Sequence, residues 1–182
     1  MRLSLLCLAL LAAVPALRAN ELTDAQRAAL QPLAIFDGTW RGPAQVLRPE
    51  GWTTITQTER VGPMLDGALR VIEGRGYGPD GKMHFNAFAV LSYDPTAKRY
   101  HFKSNAEGRE GDFPLEVSPD GFAWSIQAGP ARIRYVATVK DGMWHEVGER
   151  LVEGQPPLRI FEMHLKRLGS TGWPADGAVP RE

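Results

Sequence analysis

The 182-residue sequence is poor in the residues that most often carry chemistry. It has one cysteine, Cys7, so no disulfide can form within the chain. Its four histidines, at 84, 101, 145 and 164, share no ligand-like spacing and give a metal site no support. No Ser-His-acid order or Gly-rich phosphate loop is present, so nothing in the sequence points to an enzyme. Neither charge is in excess: 21 Lys and Arg balance 21 Asp and Glu, with no basic run. That balance argues against nucleic acid and against an anionic membrane surface. Long apolar runs are missing too, except for Leu3 to Leu17. This run follows Met1-Arg2 and leads into the small-residue pattern Ala16-Leu17-Arg18-Ala19. It is short for a bilayer span and has the layout of a secretory signal cut after Ala19. No lipobox of small residues precedes Cys7, so a stable membrane anchor is not expected after cleavage. Cleavage removes Arg2 and Arg18 but no acid, which takes the formally neutral chain to −2. It also removes the cysteine. An exported protein without disulfides fits a periplasmic or secreted location, where its stability must come from its core.

What remains is patterned for strands. The length suits one domain: 1–19 as signal peptide, 20–168 as the folded unit and 169–182 as a disordered tail of Gly, Pro, Ser, Thr and Asp. A short helix is predicted from Thr23, with Gln26 in capping-box position, through Ala34. Ten candidate strands follow: Trp40–Leu47, Thr53–Val61, Ala68–Tyr77, Met83–Tyr93, Arg99–Asn105, Phe113–Val117, Phe122–Gln127, Ile133–Lys140, Trp144–Val152 and Leu158–Leu168. Asp-Gly recurs at 66–67, 80–81, 120–121 and 141–142, each time between two strands. It is a strong hairpin signal, because type I′ turns need positive φ at both central residues. No connection is long enough for a parallel crossover. A ten-strand antiparallel meander must hide its edges, and closing into a barrel does that best. The predicted class is therefore all-β: a single closed antiparallel barrel of about ten strands behind a short N-terminal helix.

Phe36-Asp37-Gly38-Thr39-Trp40, a Gly-x-Trp opening the first strand after a short helix, resembles the signature of the calycin superfamily of lipocalins, fatty-acid-binding proteins and nitrobindin-like barrels. Leu33 to Gly42 is especially similar to the nitrobindin opening. Leu65-Asp66-Gly67, Leu91-Ser92-Tyr93-Asp94 and Lys98-Arg99-Tyr100 look more like a bacterial family in the same clan, the domain of unknown function numbered 1579. The resemblance spans roughly 33–168. It implies that Trp40 plugs one barrel end and packs against an Arg of the last strand, for which Arg167 has the right parity. The nitrobindin likeness also implies haem held through a His near the end of the last strand, where His164 stands. Parity opposes that. Phe161, Met163 and Leu165 alternate with Glu162, His164 and Lys166, and the apolar set should face the core. His164 is then expected to face solvent, and no cofactor is expected. Fold likeness alone does not assign function.

Registers implied by the Asp-Gly turns supply the remaining candidates. About Asp141-Gly142, paired positions sum to 283, which puts Tyr135, Glu146 and Arg150 on the more apolar face and pairs Arg134 with Glu149 on the other. About Asp66-Gly67 they sum to 133, which puts Glu59 with Ile55, Gln57 and Val61. Glu59 and Glu146, with Arg150, then either face the interior, where they could orient a ligand's polar end, or sit solvated near a barrel mouth. A one-residue slip would reverse every face. Phe85, Trp124, Tyr135 and Met163 complete the cavity candidates with Trp40. Three functions follow from this set: a carrier of a small apolar molecule, a haem protein, or a filled barrel with no ligand.

Overall fold

The computed structural model describes the backbone of residues 15–173 and, from Asn20 onward, their side chains. The expected signal sequence lies mostly outside the described residues, as does the tail beyond Trp173. A helix, α1 (Pro15–Leu30), passes into a 3₁₀ segment, Gln31–Phe36. Helix α1 begins well before Thr23, so Thr23 does not start it. The α geometry ends at Leu30, just before Pro32, which has no N–H to continue the ladder.

Ten strands follow: β1 (Gly38–Arg48), β2 (Gly51–Met64), β3 (Leu69–Tyr77), β4 (Met83–Asp94), β5 (Arg99–Ala106), β6 (Arg109–Ser118), β7 (Gly121–Ala128), β8 (Ala131–Lys140), β9 (Met143–Val152) and β10 (Leu158–Gly169). Each pairs antiparallel with its chain neighbours, and β10 pairs with β1 to close the barrel. All ten predicted strands are present, most of them extended by a few residues. The largest difference is β6, which starts at Arg109 because Glu107 (φ 51) and Gly108 (φ 76) form a tight turn.

The Asp-Gly pairs do different jobs. Asp141 (φ 52) and Gly142 (φ 73) have the left-handed geometry of a type I′ turn, and Lys140 pairs with Met143. Asp120-Gly121 is not a turn centre. Gly121 is the first residue of β7 and pairs with Ser118, so the turn is Pro119-Asp120, where proline presets the first corner. Around Asp66-Gly67 the loop has four residues, yet Met64 pairs with Leu69, which is the register of a two-residue turn.

One end of the barrel is plugged. Trp40, 1% exposed, donates its indole N–H to the Phe36 carbonyl at 2.8 Å. The Arg167 guanidinium lies 4.4 Å from its ring centre and donates to the carbonyls of Asp37 and Ile35. Phe36 and Trp144 pack edge to face with centroids 4.8 Å apart, beside Leu30, Leu33, Phe122 and Leu165. Arg70, 6% exposed, holds both oxygens of Asp37 at 3.0 and 3.2 Å and the Leu30 carbonyl at 2.7 Å. Tyr100 donates to the Ala29 carbonyl. Strands β3 and β5 thereby tie the end of the helix across this end of the barrel.

The tail was expected to have no structure from Gly169. Its described start is docked instead: Trp173 lies under the Arg60 guanidinium at 4.2 Å, beside Phe88.

Candidate functional site

Away from the plug, the barrel interior changes character. Glu59 on β2 and Glu146 on β9 both point inward and are only 9% and 8% exposed. Their faces follow from pairing: Glu59 sits opposite Gly74 and Trp40, and Glu146 sits opposite Ala137 and Met163. Burial pushes the Glu59 carboxyl up to about 8. A hydrogen bond from Gln57 Nε2 at 2.7 Å opposes that shift, and the charge of Glu146 adds to it. Burial raises Glu146 to about 7, against the pull of the Trp144 and Trp124 indole N–H groups. No basic side chain among the described residues offsets either acid. Trp144 Nε1 is the one buried side-chain polar atom among the described residues without a hydrogen-bond partner. It acts on Glu146 as a nearby dipole rather than through a formed bond.

Aromatic rings line the wall beside these acids. Trp124 stacks between Phe102 and Tyr135, with centroids 4.3 and 4.6 Å away, and Phe113 and Phe161 flank the stack. Burial, with the charge of Glu146 adding to it, raises the Tyr135 hydroxyl to about 12. Several of these side chains lie along the wall rather than across the lumen, and glycines make this possible. A Cβ on Gly148 would sit 2.6 Å from the Tyr135 ring, and one on Gly74 would sit 2.7 Å from a Glu59 oxygen. Beside the rings, inward positions of β3 to β5 include the small residues Gly74, Ala87, Ala89 and Ser104.

The structure therefore brings Glu59, Trp124, Tyr135, Glu146 and Met163 around one lumen. Phe85 is half-buried nearer the open mouth, on the face that Gly76 presents. Trp40 belongs to the floor of the site, inside the plug. Arg150 is a correction: it shares the parity of Glu146 but is exposed. It pairs with Ile133 and Leu158 at the rim, where a long side chain can carry its head into water. Arg134 does pair with Glu149 across the strands, but its guanidinium reaches Glu116 instead. His164 is exposed on the outer wall. Sequence reasoning missed Arg70, although it shares the parity of Ile72. It also missed the meeting of His145 and His164, which pair directly across β9 and β10. The five-residue turn and the register shift between Arg159 and Phe161 hid that partnership. Two open depressions on the outer wall, one by Phe88 and one by Pro43, are lined by neither acid.

No protein-family model matches the chain, and no curated protein does. Among solved structures it is similar to the crystal structure of Rv2717c from M. tuberculosis, with a TM-score of 0.57 at 13% identity. The match covers 76% of this chain and 96% of that one. At that identity the likeness shows a shared barrel fold.

Proposed function

We propose that the barrel holds a small, largely apolar molecule whose one polar end, a protonated amine or other hydrogen-bond donor, sits between Glu59 and Glu146. The observation that carries this reading is the pair of buried carboxyls with no internal cation. Two acids in one enclosed space resist ionisation, and a ligand ammonium would supply the missing positive charge. The adjoining Phe102–Trp124–Tyr135 stack offers apolar area and ring faces that attract a cation.

On this reading the ligand is not haem held through His164. All four histidines occupy outward strand positions, so a haem inside the lumen would meet no imidazole. The Gly38-Thr39-Trp40 opening, the helix before it and Arg167 over Trp40 support assigning the barrel to the calycin kind. The signal-like start supports export. N-terminal sequencing of the exported protein should then begin at or near Asn20, and a soluble chain retaining Met1 would defeat that part.

The binding test titrates the purified protein with 4-phenylbutylamine and with 4-phenylbutanol, read by tryptophan fluorescence. The amine is expected to bind at one equivalent and roughly tenfold tighter than the alcohol, a difference of about 1.4 kcal/mol. A Glu59→Gln, Glu146→Gln double variant should lose that preference. Binding of neither probe, or a variant that still prefers the amine as the parent does, would overturn the reading.

A further inference from the structure

We propose that His145, Glu162 and His164 form a binding site for a divalent transition metal of the zinc class on the outer wall of the barrel. The site is separate from the lumen, and the case for it does not depend on the interior reading.

The geometry comes from the sheet. His145 and His164 are direct cross-strand partners, and Glu162 lies two residues from His164 on the same outward face. Directly opposite partners have Cβ atoms about 4.5–5.5 Å apart, and diagonal ones such as His145 and Glu162 about 7–8 Å, within reach of long side chains. The two imidazoles lie parallel, with centroids 4.4 Å apart and planes at 17°. Both direct Nε2 at one carboxylate oxygen: Glu162 Oε1 is 2.9 Å from His145 and 3.3 Å from His164. No ligand atom of the three lies more than 4.8 Å from another. Bonds of about 2.0–2.1 Å to a tetrahedral zinc put ligand atoms roughly 3.3–3.4 Å apart. Small rotations of two partly exposed rings would therefore seat the ion, with one position left to solvent. Two imidazoles and one carboxylate are the donor set of several zinc centres.

The surroundings suit the role. Arg159 Nη1 binds the other oxygen, Oε2, at 2.8 Å, which fixes the carboxylate and leaves Oε1 to face the rings. His84 and His101 also meet acids, Asp80 and Asp112, but each as one histidine with one carboxylate. Because strand residues alternate, the rung between those of Glu162 and of the two histidines, Glu146 with Met163, points inward. An ion here would clamp β9 to β10 directly behind the buried acid.

The experiment is calorimetric titration of the chelator-treated full-length mature protein with zinc chloride alone, with cobalt(II) absorption reporting coordination. One zinc per chain is expected, weakening as pH falls through the histidine range, since ligation needs unprotonated nitrogens. His145→Ala and His164→Ala should each weaken binding by more than the roughly 10–100-fold that loss of an outer-shell partner costs. His84→Ala should leave it unchanged. Circular dichroism checks that each variant is folded, which the exposure of these residues favours. The proposal fails if the parent takes up no stoichiometric zinc, or if folded His164→Ala binds zinc as the parent does.

Discussion

The two halves of this barrel satisfy their polar groups in opposite ways. At the plugged end Arg70 has Asp37 and Leu30, Trp40 has Phe36, and Arg167 has two backbone carbonyls; of the donors named there, the Trp144 N–H alone lacks a partner. In the open half, Glu59 has a hydrogen bond from Gln57 and Glu146 has the indole N–H groups of Trp124 and Trp144 near it, but neither acid has a cation among the described residues. Burial without a cation opposes the ionised form of both acids, so the open half carries an electrostatic cost that the paired charges of the plug do not. The plug holds the fold together. The open half keeps two acids whose ionisation burial opposes.

That contrast can be broken from either side. The largest effect should come from the plug: Trp40→Ala removes a buried aromatic and should cost about 3–5 kcal/mol in a denaturant melt. A loss under roughly 1 kcal/mol would mean that the plug is not what holds the fold. Next comes Glu59. Its carboxyl titrates near 4.5 when unfolded and near 8 when folded, so between those values the folded state binds more protons. Its contribution to stability is thus fully present below about pH 4.5 and is lost as pH rises to about 8. Glu59→Gln should flatten that slope and stabilise the protein at pH 9 by up to a few kcal/mol. A variant less stable than the parent at pH 9 would contradict the claim that this acid is held at a cost. The smallest effect should be that of Gly148→Ala, whose methyl group must lift Tyr135 off the wall. It should cost about 1–3 kcal/mol and change Trp124 fluorescence, because Tyr135 stacks on that indole.

Much of this arrangement was legible before any coordinates. Strand positions followed from alternation, and two hairpin registers followed from Asp-Gly pairs. Those registers put Glu59 opposite Gly74 and Glu146 opposite Ala137, as observed. They could not say how deep each residue sits. Glu146 and Arg150 share a face, yet one is enclosed and the other reaches solvent at the rim. Depth depends on barrel shear and on what caps each end, and hairpin registers carry neither. The start of β6 was lost because Arg109-Glu110-Gly111-Asp112 reads as a loop. Near the mouth both faces of that strand are wet, so its polarity pattern has no period. Helix α1 was placed late because a local capping pattern at Thr23 looked like a beginning.

The order of the strands also bears on how the chain reaches this state. Every pairing but one joins neighbours along the sequence, so the sheet can grow hairpin by hairpin from local encounters. The exception is the seam between β1 and β10, which the bonds from Arg167 to Asp37 and Ile35 span across 130 and 132 residues. Closing that seam carries the largest loop entropy, so it should be the last event in folding and the first undone by force on the termini. Once closed, the ring of hairpins has no privileged starting point. A chain rejoined at its ends and reopened at the Gly142 turn would keep every rung, while the old seam became one more local hairpin.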